Sequence, residues 1–315
     1  MKKMVSRTWI LVDKNKRGTH VQCEGLARAL NLKPSVYYID IPAPWRWFPG
    51  PLPVGSLSAC DVTPRPMSAP WPEIIITGGR RSAGYALAVK KTHCPDTVLI
   101  AVQDPGLARR KFDHIIVPWH DRILGHNVIS TTGALNAIDA ETLTRNAKPF
   151  MSKISALPAP RTAVLIGGPT KGVAFSKSQA HDIAGQLINN LTHTLLLSTS
   201  RRTPNAIIDV FRSALQHRAG VQYYGQGPNP YFGFLNYADS IAVTSDSVSM
   251  MSEACTAGKP VYIIELPGRR AKFQRFIEDL YAEGLARPFD GICKPFETSG
   301  LNEAERVATI LRRYY

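Results

Sequence analysis

Residues 241–265 read IAVTSDSVSMMSEACTAGKPVYIIE, and the reading of this stretch decides the fold. Residues 241–243 are apolar, Thr244, Ser245, Asp246, Ser247 and Ser249 are small and polar, and a helix-compatible run leads to Ala257. Gly258 stops that run, and residues 260–264 are apolar again. The pattern is strand, helix, strand. The first turn of such a helix holds backbone N–H groups with no intrahelical acceptor and the positive end of the macrodipole, and small hydroxyl side chains let an anion come close. A phosphate fits there. Glu253 follows Ser249 by four residues and Asp246 by seven, so it shares their face and sits behind the anion, where sugar hydroxyls attached to a phosphate could be bound. The plain alternative is a serine-rich cap that binds nothing, followed by an ordinary glycine C-cap.

The chain around this unit has 315 residues, 44% hydrophobic and 20% charged, which suits two globular domains and excludes a disordered or fibrous protein. Its net charge of +14 predicts attraction to phosphates in nucleotides, nucleic acid or an anionic bilayer without choosing among them, and basicity serving only solubility is the alternative. Cys23, Cys60, Cys94, Cys255 and Cys293 are scattered, with no C-x-x-C pair and no histidine at metal-ligand spacing. That usage implies a reducing compartment and no metal. The apolar run at residues 9–12 is too short for a signal peptide, and no run reaches membrane-spanning length, so a cytoplasmic location is expected.

Taken in order, residues 8–12 form a first strand, a turn carrying Lys14, Lys16 and Arg17 follows, and a helix spans 20–30. Residues 36–39 are a short strand. Residues 42–72 then hold nine prolines and the cluster Trp45, Arg46, Trp47, Phe48, which excludes a regular helix or central strand. Tryptophan and arginine in such a segment suit a membrane interface, or the rings plug a domain edge. Strands at 73–77, 98–102 and 115–117 resume a parallel pattern, each followed by a polar or glycine-bearing turn, where ligands collect in open α/β sheets. A helix over 139–154 and the linker ALPAPR at 156–161 lead to a second copy: strand 162–166, the turn GGPTKG at 167–172, and a serine-capped helix over 176–191. Strand 194–197 precedes Ser198, Thr199, Ser200, Arg201, Arg202, Thr203 and Pro204, where Thr203 is a candidate cap. A strand at 221–224 enters a Gly/Pro loop at 225–230, and helices over 273–283 and 302–315 close the chain.

GGPTKG lacks the full phosphate-loop pattern, and G-x-G-x-x-G is missing after the first strand, which disfavours ATP hydrolysis and nicotinamide binding. The run SVSMMSEACTAGKPVYII resembles the donor-nucleotide motif of GT-B glycosyltransferases such as the peptidoglycan GlcNAc transferase, and Glu253 matches that family's ribose-binding glutamate. With KNKRGTHVQCEGLARAL, GGRRSA, QDPGLARRKFDHIIVPWHD, GGPTKG, TSRRTP, NPYFGFLNYADSIAVTSDSVSMMSEA and GKPVYIIELPGRR, the chain from Ile10 to Asp290 is similar to the mitochondrial-fission Elm-like family, whose bacterial members are regarded as glycosyltransferases. The fission role of the plant member is an organelle function and is not carried over by similarity.

The resemblance implies an α/β GT-B fold, two facing Rossmann-like domains with an interdomain cleft, and a metal-independent transferase that moves a sugar from a nucleotide-sugar donor to a cell-envelope glycan or glycolipid. The acceptor domain would span residues 1–155 and the donor domain 156–301, with 302–315 packing back on the first. Gly168, Lys171, Thr199, Ser200, Arg201 and Arg202 would contact the diphosphate, Ser245, Asp246 and Ser247 would cap it, and Glu253 would bind ribose. No cofactor is expected beyond the donor, because helix dipoles and cationic side chains can neutralise a leaving diphosphate without a metal. An acceptor hydroxyl needs a base near neutral pH. His20, placed by its Gly-containing turn at the start of the first helix, is the leading candidate; Asp104 and Asp121, the latter beside His120, are the alternatives, and a purely structural His20 is the competing reading. Lys14 and Arg17 replace much of the glycine-rich turn of the peptidoglycan enzyme, so His20 could instead hold an acceptor phosphate. An anionic membrane surface, at the inner face of the cell membrane, is a candidate partner; nucleic acid is not expected, since the charge is dispersed. The rivals are a nucleotide-sugar epimerase of the same fold and a non-catalytic membrane adaptor.

Overall fold

The strand formed by Thr8–Asp13 (β1) runs through the centre of the first of two sheets in this computed structural model, which describes residues 7–47, 57–64, 68–170, 172–268 and 271–314. Four of its six residues, Trp9 to Val12, are apolar and buried, the pattern of a parallel strand covered on both faces. Around it lie Ser35–Asp40 (β2), Asp61–Thr63 (β3), Ile74–Gly78 (β4), Val98–Val102 (β5), His114–Pro118 (β6) and Val128–Thr131 (β7), in the order β3-β2-β1-β4-β5-β6-β7. Every pair is parallel except β2 with β3. The helix Arg17–Ala29 (α1) covers one face, where Cys23, Leu26 and Ala27 meet Ile10, Val12 and Ile76; Arg80–His93 (α2) covers the other with Tyr85, Ala86 and Val89.

The second sheet is parallel throughout, in the order β10-β9-β8-β11-β12-β13: Arg161–Ile166 (β8), Thr194–Thr199 (β9), Gly220–Tyr223 (β10), Ser240–Thr244 (β11), Val261–Ile264 (β12) and Arg287–Pro288 (β13). Its helices are Ala140–Ala147 (α3), Met151–Ser155 (α4), Lys177–Asn189 (α5), Asn205–Leu215 (α6), Tyr231–Tyr237 (α7), Val248–Thr256 (α8) and Ala271–Ala282 (α9). Ser176 caps α5 in a full capping box, its hydroxyl accepting from the Gln179 N–H while the Gln179 side chain accepts from the Ser176 N–H. Chain order and sheet order together give two Rossmann-like α/β units, each with strand C-termini and their loops along one edge.

The first unit comprises residues 1–137 and 302–315 and the second 138–301, so the division falls earlier than the 155/156 expected. The reason is packing: Leu143 and Ile154 bury in the core of the second sheet, and α7 approaches so closely at Gly233 that a Cβ there would stand 2.9 Å from Phe150 Cβ. The helix expected over 139–154 is two helices, because Pro149 lacks an N–H and sits in a tight turn over Lys148–Phe150. Glu303–Leu311 (α10) packs on α1, with Val307, Ala308 and Leu311 in the core that holds Leu26 and Leu30. Of the Pro-rich stretch, Trp45 packs beside the core on the α2 side, Trp47 is exposed, and β3 is an antiparallel edge strand; Phe48 lies outside the described residues.

Candidate functional site

The loops that follow β8, β9 and β11 converge on one carboxylate. Asp246 is fully enclosed, and its Oδ1 accepts from the Thr244 hydroxyl at 2.6 Å. Its Oδ2 accepts from the Gly168 N–H at 3.1 Å and from the Arg202 guanidinium at 3.3 Å. Burial pushes the Asp246 carboxyl up, opposed by the bonds from Thr244 and Gly168 and by Arg202. The glycines make this approach possible, since a Cβ on Gly167 would lie 2.0 Å from Asp246 Oδ1 and one on Gly168 2.3 Å from the Arg202 carbonyl. Asp246 is therefore the residue that ties three loops together rather than one that caps an anion: its oxygens only accept, and both are taken.

Thr203 does similar work from the β9 loop. Its hydroxyl donates to the Gly167 carbonyl at 2.6 Å and accepts from the Ser200 N–H at 2.9 Å. It is not the helix cap expected; α6 starts at Asn205 behind Pro204, with no side-chain cap. Thr199 is buried in β9, and Ser245 is buried with its hydroxyl accepting from the Leu266 N–H at 2.8 Å, so neither presents a free surface to a ligand. Gly168 is buried with its N–H on Asp246. Ser200, Arg201 and Arg202 remain at the surface of the turn, Arg202 with its side chain 46% exposed. Lys171 lies outside the described residues.

Ser247 is the N-cap of α8, its hydroxyl accepting from the Met250 N–H. That leaves the first-turn N–H groups of Val248 and Ser249 with no intrahelical acceptor, beside a partly exposed surface. Behind them Glu253 Oε2 accepts from the Tyr231 hydroxyl at 2.6 Å. Burial raises the Glu253 carboxyl, and the hydrogen bond from Tyr231 opposes that rise. Burial and the neighbouring Glu253 hold the Tyr231 phenol well above its ordinary value, so Tyr231 stays a donor. The sequence reading missed Tyr231, although Asn229 carried a signal: its side chain accepts from the Tyr231 N–H at 3.0 Å, an Asx turn that starts α7.

In the first unit, His20 is the fourth residue of α1 and not its start, because the helix begins at Arg17. Its Nδ1 is 3.3 Å from the Tyr38 hydroxyl, and its Nε2 lies 3.2 Å from Glu24 Oε1 without the alignment of a hydrogen bond. Asp104 accepts two bonds from Arg109, at 2.8 and 2.9 Å, and one from the Gly106 N–H at 2.9 Å. The Arg109 bond is the chief reason its carboxyl lies below the ordinary carboxylate value, which makes Asp104 a weak base. Asp121 Oδ1 is 3.9 Å from Nε2 of the buried His120 in the tight turn after β6. His20, Asp104 and Asp121 thus follow three different strands of one sheet. Among the described residues, no three His, Cys, Asp or Glu side chains gather as a metal set.

The chain matches the family described as Mitochondrial fission ELM1 over residues 17–315. It is 30% identical over 271 residues to mitochondrial fission protein ELM1 of Arabidopsis thaliana, an alignment that takes in 77% of this chain and 64% of that protein. The chain therefore spans less than two thirds of the plant relative's length. Among solved structures it resembles UDP-GlcNAc 2-epimerase from Methanocaldococcus jannaschii, with a TM-score of 0.58 and 12% identity over 98% of this chain and 99% of the epimerase. It also resembles MurG from Acinetobacter baumannii, with a TM-score of 0.53 and 14% identity over 97% of this chain and 90% of the other. At such identities the likeness is one of fold, and that fold is GT-B. With its family match covering nearly the whole chain, this protein belongs to the Mitochondrial fission ELM1 family.

Proposed function

We propose that the protein is a GT-B glycosyltransferase whose second unit binds a nucleotide-sugar donor. The observation that carries this reading is the Glu253–Tyr231 pair behind the first turn of α8, with its 2.6 Å hydrogen bond. A carboxylate enclosed by protein costs free energy unless something uses it. Tyr231 occupies one oxygen, and the other is an acceptor suited to ribose hydroxyls. Ahead of it the first-turn N–H groups of Val248 and Ser249, with Arg201 and Arg202 from the neighbouring turn, supply the donors and positive charge for a diphosphate. Positive charge at that point stabilises the leaving diphosphate without a divalent ion. Asp246, Thr244 and Thr203 hold the loops in place.

The first unit would supply the acceptor site and the base. His20 is the proposed base, because the Tyr38 hydroxyl lies at Nδ1 and can orient the ring while Nε2 makes no hydrogen bond among the described residues, whereas Arg109 keeps Asp104 ionised and weakly basic. The acceptor class proposed is a cell-envelope glycan or glycolipid.

Thermal shift and calorimetry with UDP, GDP, CMP and their sugars test the donor assignment, because a ligand that binds the folded state raises its apparent stability. Uridine nucleotides come first, since the epimerase of similar fold is named for UDP-GlcNAc. A stabilising nucleotide whose affinity falls in Glu253→Gln supports the reading. Failure of every nucleotide to bind would sink it, and appearance of a sugar isomer with no acceptor present would reassign the protein as an epimerase.

A further inference from the structure

Three large apolar side chains stand outward on two neighbouring connections of the first sheet: Leu107 is 80% exposed, Leu124 78% and Trp119 55%. The backbone explains why. β5 reaches β6 through a tight-turn segment, Gly106–Lys111, and β6 reaches β7 through residues 119–127, with no α-helix in either crossover. Ala108, Phe112 and Ile123 fill the same core that α2 covers, so these crossovers lie on the α2 face of the sheet. Leu107 and Leu124 adjoin those buried residues in sequence and turn away from them. The two crossovers are joined, because Asn127 Nδ2 donates to the Arg109 carbonyl at 3.1 Å and to the Phe112 carbonyl at 2.8 Å. Singly exposed leucines are common, but here three large apolar residues stand on two crossovers that Asn127 joins.

The charges on and beside these crossovers are predominantly basic. Arg110, Lys111 and Arg122 are exposed on the same crossovers, and the Arg80 side chain, 72% exposed where its stem passes Gly106, lies 3.6 Å from Asp104. The nearby acids are engaged: Asp104 with Arg109, Asp113 with Lys90 at 3.6 Å, and Asp121 beside His120. We propose that this surface seats the protein on an anionic lipid bilayer. A basic rim complements anionic headgroups, an exposed tryptophan suits the headgroup layer, and the +14 charge of the chain has the required sign. No described helix is long and apolar enough to cross a membrane, which fits attachment by a surface. Apolar insertion and basic attraction are each weak alone and together give reversible binding.

Flotation of the full chain with vesicles of phosphatidylcholine plus phosphatidylglycerol, and of phosphatidylcholine alone, tests this without any nucleotide, so its outcome is separate from that of donor binding. The wild type is expected to float with the mixed vesicles only. Leu107→Ser combined with Leu124→Ser should weaken that partition roughly tenfold or more, and Arg110→Glu with Arg122→Glu should abolish it. Trp47→Ser should change nothing, because Trp47 follows β2, which lies four places from β6 in the strand order. All the altered residues are exposed, so unchanged thermal melts of the variants are the control for folding. Equal flotation of the wild type and the double leucine variant, or no flotation of the wild type, would overturn the proposal. A dimer in sedimentation that the leucine substitutions disperse would also overturn it, in favour of self-association.

Discussion

Asp246 and Glu253 are seven residues apart around one helix start, yet their environments give them opposite tasks. Asp246 has both oxygens committed to Thr244, Gly168 and Arg202, and its removal strips partners from buried groups in three loops. Asp246→Ala should therefore lose roughly 1–3 kcal/mol for each donor left buried and unpaired, read by urea unfolding, and should impair nucleotide binding only through that loss of order. Glu253→Gln keeps an oxygen for Tyr231 and should unfold like the wild type. Its ribose contact would lose the charge that strengthens it, so nucleotide affinity in calorimetry should fall about tenfold. Equal affinity in Glu253→Gln and the wild type would leave Glu253 a packing residue. Asp104 makes a prediction in pH. Its folded-state value lies below the ordinary 3.8, so the unfolded chain takes up the proton first as acid is added. The stability it contributes is complete above 3.8 and is lost as pH falls through the lower folded value. Asp104→Asn should flatten that part of the acid-unfolding curve, and an unchanged slope would show that the Arg109 contact is not held in solution.

Elements were legible where one local rule dominated. Apolar runs such as Ile74 to Ile76 and Leu195 to Leu197 announced buried parallel strands, and the serine at 176 announced the start of α5. The strand–helix–strand unit that holds α8 was legible too, and the GT-B fold followed from the family resemblance. What escaped depended on tertiary contact. The length of α7 and the partnership of Tyr231 with Glu253 come from packing 22 residues apart, which no local period reports. Similarly, Ser245 and Asp246 look like anion ligands in sequence because small polar residues at a strand end serve equally to bind phosphate and to tie loops. Only their burial separates the two uses. Gly167 is an element-scale test of that loop knot. An added Cβ would stand 2.0 Å from Asp246 Oδ1, so Gly167→Ala should destabilise by about 1–3 kcal/mol, whereas Gly185→Ala, with open space around it on α5, should be neutral or slightly stabilising. Denaturant midpoints of the pair decide it.

At the scale of the whole molecule, each unit has its own cores on either face of its own sheet, so each should melt as a separate cooperative unit. The chain leaves the first unit at residue 137 and returns to it at 302. α10 therefore belongs energetically with α1, although 273 residues lie between them, and its Val307, Ala308 and Leu311 are fully buried there. Arg312 donates to the Ala29 carbonyl, and Glu303 Oε2 accepts from the Thr132 N–H at 3.3 Å, which closes the seam at both ends. Removing residues 302–315 exposes the facing side chains Leu26 and Leu30 and forfeits roughly 1.5–3 kcal/mol for each large apolar residue uncovered, a sizeable part of a domain's stability. Calorimetry of the truncated chain should show the first unit's transition moved down or absent while the second unit's stays in place. A nucleotide that binds the second unit should then raise only the transition that remains, because a ligand stabilises the fold that binds it. If both transitions fell together on truncation, the second unit would depend on the first for its stability, and the nucleotide effect could not be assigned to one of them.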